Sequence, residues 1–296
     1  MTINVKDGGT FREVNQVYVH DGTSFTNKTI TNAYVKDGGV WREIFTLFNT
    51  TAFSQTTGSV TVPTNANAFH IRFAVGGGSG GVIGASYDKV GGESAGPGGA
   101  SGAYISDKVF TVTSGETLTI ATGGAGSAGN GDTYNTTAGN GGNTTITSSS
   151  SGINITLQGG IGGSVDSGSV QGRLRNNNPS TGGTASISGT VLTSGTSVDG
   201  LDITSFTTGP VGTFNQSGDG NAGANPGNCS GDNCQIAGGN GGTSYGTAIA
   251  GGTGGPAGGS SSAGTRGSGG GGGGAEPVSS ASNGGAGEIE YRFLRI

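Results

Sequence analysis

Gly96-Pro97-Gly98-Gly99-Ala100-Ser101-Gly102 and Gly264-Thr265-Arg266-Gly267-Ser268-Gly269-Gly270-Gly271-Gly272-Gly273-Gly274 are the stretches on which the fold turns. Each keeps glycine at a step of three: Gly96, Gly99 and Gly102 in the first, Gly264, Gly267, Gly270 and Gly273 in the second. The step returns at Gly123, Gly126 and Gly129, and again at Gly252, Gly255 and Gly258. Three residues is the period of the extended left-handed helix, which has no internal hydrogen bonds and points its donors and acceptors outward. The intervening residues are nearly all Ala, Ser, Asn, Thr or Pro, so several such segments could pack with no side chain in the way. Further blocks of the same texture cover 76–81, 139–142, 159–163, 238–242 and 284–287.

The chain has 68 glycines in 296 residues, and Gly plus Pro reaches about a quarter, a level associated with low complexity. Disorder, however, usually accompanies high net charge. Here charged residues are 10% and the net charge is −5, so little electrostatic repulsion holds the chain open. Fixing a glycine costs about 0.5–1 kcal/mol relative to alanine. With only 11 Phe, 7 Tyr and 1 Trp to bury, backbone hydrogen bonds at about 1 kcal/mol each must carry much of the stability. Met1 to Gly9 is polar and lacks the apolar region of a signal peptide, so synthesis in the cytoplasm without export by the usual route is expected. No stretch approaches the roughly 20 apolar residues of a membrane span. The acidic balance argues against nucleic acid as a partner.

Two parts are expected. In residues 1–48, Val5-Lys6-Asp7-Gly8, Val19-His20-Asp21-Gly22 and Val35-Lys36-Asp37-Gly38 repeat one unit: a strand, an Asp-Gly turn, and a second strand carrying Phe11, Phe25 or Trp41. Asp-Gly between alternating apolar residues is a hairpin signal, because the turn needs positive φ. So small a unit buries little alone, and its aromatics are expected to pack between repeats or on a partner. From residue 51 to 296, strands are predicted at Ser59–Pro63, Phe69–Val75, Tyr104–Thr113, Thr117–Thr122, Asn143–Thr147, Gly152–Gln158 and Glu288–Phe293, with Ser114-Gly115-Glu116 as a tight turn. Phe69, Ile71, Phe73 and Val75 should share one face of their strand. The predicted fold is all-β: a tandem β-hairpin module, then a β-sandwich with inserted polyglycine II helices packed as a bundle.

Three features carry the resemblance. They are the run Val75-Gly76-Gly77-Gly78 after a strand, the segment from Lys108 to Ile120, and the closing Gly284-Gly285-Ala286-Gly287-Glu288-Ile289-Glu290-Tyr291. Together they resemble the glycine-rich domain of bacteriophage tail-fibre proteins. The texture is similar to the distal tail-fibre adhesins of T-even-type phages, and hairpins like Val35 to Glu43 recur beside such domains in phage tail proteins. The resemblance implies a virion tail protein, assembled in the host cytoplasm, whose hairpins dock to other tail proteins through Phe11, Phe25 and Trp41. The glycine-rich part would present loops to a bacterial surface receptor, either a polysaccharide or an outer-membrane protein. A homo-oligomer such as a trimer fits this reading.

Aromatic residues and arginine in otherwise small-residue loops are the candidate recognition groups, since both are enriched at binding hot spots. They are Tyr87, Tyr134, Arg173, Arg175, Phe206, Phe214 and Tyr245; packing of Phe206 and Phe214 under their own loop is the competing reading. Cys229 and Cys234 are either two reduced thiols or a loop disulfide formed after release into an oxidising exterior. His20 and His70, both on strands near charges, read as surface residues. Neither a Ser/His/Asp arrangement nor a His/Cys cluster of metal spacing is evident, and no cofactor is expected. Carboxylates such as Asp132 and Asp166 are scattered, with no pair to name for glycan cleavage. The chain is therefore expected not to be an enzyme, the alternatives to an adhesin being a structural tail subunit or a glycan depolymerase.

Overall fold

The computed structural model describes residues 53–64, 66–83, 95–129, 136–165, 178–192, 221–223, 237–244, 249–256, 259–274 and 280–294 in full, and elsewhere the backbone pairing of short strands. The described residues form antiparallel sheets and no helix of α, 3₁₀ or π type, so the fold is all-β as expected. One sheet orders its strands Gln216–Gly218, Tyr104–Thr111, Ala68–Val75, Glu288–Leu294; the other Ala185–Ser188, Asn154–Leu157, Thr144–Ser148, Thr117–Ala121, Gly58–Thr61. Phe69, Ile71, Phe110 and Tyr291 of the first meet Leu118, Ile120, Ile146 and Ile155 of the second in one buried cluster. Burying each large apolar side chain stabilises by about 1.5–3 kcal/mol. The strands that bracket the glycine-rich region, Ala68–Val75 and Glu288–Leu294, pair with each other.

One expectation fails on the central strand. Ile71 and Phe73 face the consecutive residues Tyr291 and Glu290, so Arg72 is an extra residue in a β-bulge. The bulge reverses the alternation. Phe69, Ile71 and Ala74 point into the core, whereas Phe73 and Val75 join a separate outer cluster with Tyr104 and Ile249.

The strands run directly into glycine segments at one end of the sandwich: Val75 into Gly76, Ala121 towards Gly123, Leu157 towards Gly159, and Gly287 into Glu288. Residues 76–82 are all buried, and none of their N–H groups bonds within its own segment. Gly76, Ser79 and Val82 donate to the carbonyls of Ala103, Ala100 and Pro97; Gly77 and Gly80 to Gly142 and Gly139; Gly78 and Gly81 to Gly285 and Ser282. Their carbonyls accept from Gly126 and Gly129, from Gly270 and Gly273, and from Gly160. The segment thus bonds to six neighbours, and its donors turn through three directions with a period of three residues. A side chain has no room there: a Cβ on Gly78 would overlap the carbonyl of Ser268, and one on Gly81 that of Gly271.

Near the N-terminus the backbone pairs as three separate hairpins, Asn4–Asp7 with Thr10–Glu13, Tyr18–His20 with Phe25–Asn27, and Asn32–Asp37 with Val40–Thr46. Asp7 pairs with Thr10 and Asp37 with Val40, so these aspartates are strand residues and not the turn residues that were expected.

Candidate functional site at the free end of the glycine bundle

The direction of each glycine segment follows from its hydrogen bonds. Residues 76–83 lead away from the sandwich, and 95–103 return antiparallel to them, since Gly76 donates to Ala103 and Val82 to Pro97. Residues 123–129 run parallel to 76–83 because Gly126 and Gly129 donate to Gly78 and Gly81. The same reasoning gives 159–163, 221–223, 251–256 and 267–274 as outgoing, and 138–142, 180–183, 237–242, 260–264 and 280–287 as returning. Outgoing and returning segments alternate along the chain.

The connections therefore divide into two sets. Those between 83 and 95, 129 and 138, 163 and 180, 223 and 237, 256 and 260, and 274 and 280 start and finish at the end of the bundle remote from the sandwich. Short pairings occur among them: Thr136–Thr137 with Ser164–Asp166, Ser164–Asp166 with Asn176–Asn178, and Glu93–Ser94 with Asn228–Cys229. The other connections start and finish at the sandwich end.

Tyr87, Tyr134, Arg173 and Arg175 fall in free-end connections, and Phe206, Phe214 and Tyr245 in sandwich-end ones; all seven lie outside the described residues. Cys229 sits in a strand opposite Glu93, and Cys234 lies outside the described residues. Phe11, Phe25 and Trp41 take strand positions opposite Lys6, His20 and Lys36. Each aromatic of the repeat thus has a basic residue as its cross-strand partner. In the sequence, the longer sandwich-end connections carry strand patterns and the free-end ones mostly do not.

The outer face of the four-stranded sheet carries a charged cluster that was not foreseen. His70 is buried at 0% exposure, which overturns the expectation of a surface residue. Its Nδ1 accepts a hydrogen bond from Arg292 Nε at 3.1 Å, and its Nε2 faces Asp107 Oδ1 at 3.4 Å. Burial holds the His70 pKa below 6.5, Asp107 opposes this, and the positive charges of Arg292 and Arg72 add to it. Asp107 has a positive φ of 46° beside the bulge at Arg72. Glu290 pairs with both Arg72 and Arg266, and Arg266 Nε donates to Glu288 at 2.7 Å. Among the described residues, no group of three His, Cys, Asp or Glu is placed to hold a metal ion. This cluster ties strands together, and its sequence signal was the alternating charge of Glu288-Ile289-Glu290-Tyr291-Arg292.

No curated protein matches the chain. The glycine-rich domain family matches it over residues 51–293, and the chain belongs to that family.

Proposed function

We propose that this chain is a bacteriophage tail-fibre or tail-tip protein that docks to other tail proteins through its N-terminal hairpins and presents loops of the glycine-rich domain to a bacterial surface receptor. Its glycine segments are read as polyglycine II helices, on the three-residue rotation of their donors. The observation that carries the proposal is the collection of connections at one end of a bundle fixed at its other end to a sandwich. Loops held on a rigid scaffold are where recognition commonly sits. Tyr87, Tyr134, Arg173 and Arg175 are the first recognition candidates by this reading, ahead of Phe206, Phe214 and Tyr245. The role asked of the chain is binding without catalysis, on the virion.

The test is binding of the labelled, folded protein to intact bacteria across a host panel. Saturable binding to the strains that the phage adsorbs to is expected. Absence of binding to every susceptible strain would move the assignment to a structural tail subunit, and shortening of host polysaccharide by the purified protein would move it to a depolymerase.

A further inference from the structure

We propose that Phe53–Thr56 is a releasable strap, latched onto the outer face of the sandwich by charged and aromatic contacts and able to detach without opening the core. The inference concerns the fold itself and stands whether or not the chain is an adhesin.

Each of the four strap residues is held. The Phe53 ring packs against two guanidiniums, with Arg72 Cζ 4.8 Å and Arg292 Cζ 4.6 Å from its centroid, and meets the His70 imidazole edge-on at 5.5 Å. Ser54 exchanges both backbone hydrogen bonds with Tyr291, at 2.7 and 3.0 Å, and so adds one rung to the sheet edge. Gln55 Nε2 donates to Glu288 at 3.1 Å and to Glu290 at 3.2 Å. Tyr291 Oη donates to the Thr56 carbonyl at 3.1 Å.

The two glutamates are shared. Arg266, in the turn that opens the run 267–274, binds Glu288 and Glu290 and stacks over Phe73 at 4.2 Å. Arg72 of the central strand binds Glu290 as well. Strap, central strand, C-terminal strand and bundle turn therefore meet at one pair of carboxylates.

The grip is separable from folding because no strap residue belongs to the apolar cluster between the sheets. Phe53 and Ser54 are half-buried, and Gln55 and Thr56 are exposed. The Gln55 contact to the Glu288 carboxylate is exposed, the Glu288 side chain being 29% accessible, and the Phe53 ring rests on charged guanidiniums, so salt weakens the grip far more than it weakens the core. A segment held by few apolar contacts is of the kind that opens locally.

Chymotrypsin reads the release directly, since cleavage after Phe53 requires the strap in the protease cleft and yields a fragment starting at Ser54. Rates are normalised to a free peptide spanning residues 47–60. In the full chain, Glu290→Gln should raise the rate of this cut about tenfold, the loss of one charged hydrogen-bonding centre. In the unsubstituted protein, raising salt from about 0.05 to about 0.5 M should raise it as well. Cuts after Phe69, Phe110 and Tyr291 should stay slow in both cases. An unchanged rate at Phe53 in the variant and across salt overturns the proposal, as does a rise at the core sites that matches the rise at Phe53.

Discussion

Glu116 closes the turn between two sandwich strands by accepting at both oxygens: Thr113 N at 2.7 Å on Oε1, and on Oε2 the amides of Ser150 and Ser151 at 3.1 and 2.9 Å and the Ser150 hydroxyl at 2.9 Å. Burial alone would raise its pKa, but these hydrogen bonds outweigh burial and hold it below 4.5. Glu116→Gln keeps the shape, but even with its carbonyl turned to the Ser150 and Ser151 amides its NH2 faces the Thr113 amide, so a loss of about 1–3 kcal/mol is expected in urea unfolding. Below neutral pH, two of the described groups give stability a pH dependence of one sign. Between its lowered folded pKa and 6.5, His70 binds a proton in the unfolded chain that the folded protein excludes, so stability falls as pH drops through that window. The Glu116 contribution is complete above 4.5 and is lost as pH falls through its lowered value. The urea midpoint should therefore drop from pH 7 to pH 5, and His70→Asn should flatten that slope; an unchanged slope in the variant contradicts the assignment. Asparagine has a quieter role at the margins of the bundle. Asn140, Asn143, Asn240 and Asn283 each lend a side-chain carbonyl to a neighbouring amide, of Gly162, Gly159, Gly254 and Ala128 respectively, standing in for the peptide carbonyl of an absent segment. Three of them precede Gly-Gly, as in Asn240-Gly241-Gly242, a pattern present in the sequence whose meaning needs the packed neighbours.

Along a glycine segment the demand for space differs sharply from one position to the next. A methyl at Gly78 would overlap the Ser268 carbonyl, whereas one at the exposed Gly124 meets nothing within 4 Å. Gly78→Ala should cost about 3 kcal/mol or more, or prevent folding, since the obstruction is backbone on a neighbouring segment. Gly124→Ala should stay within about 0.5 kcal/mol. Thermal unfolding of the two variants checks this, and equal losses would refute the packing argument. The three-residue step was readable because each step addresses one neighbour: Gly96, Gly99 and Gly102 donate to Gly273, Gly270 and Gly267 in turn. The sandwich strands were readable from alternation, which reflects one buried face. Phe73 was misassigned because a bulge at Arg72 adds one residue to a period of two, and no local composition marks it. The strand Ala185–Ser188 was missed since only Ile187 and Ala185 show apolar character, and its place depends on Asn154–Leu157 beside it.

At the scale of the molecule, the alternation of outgoing and returning segments decides which connections share a surface. Exchanging residues 167–175 at the free end should abolish or redirect cell binding, while exchanging residues 203–215, entered from the sandwich end, should leave it within about twofold. Host-panel binding of both exchanges tests the assignment, and the reverse result would place recognition at the sandwich. Neither composition nor spacing could supply this division, because it rests on hydrogen bonds between segments far apart in sequence. That distance also bears on biosynthesis. Synthesis reaches the segment 76–83 well before Gly285 and Ser282, whose carbonyls are the acceptors of two of its donors, Gly78 and Gly81. Until residues 280–287 have left the ribosome, those two amides lack their native acceptors, and the bundle cannot close around them.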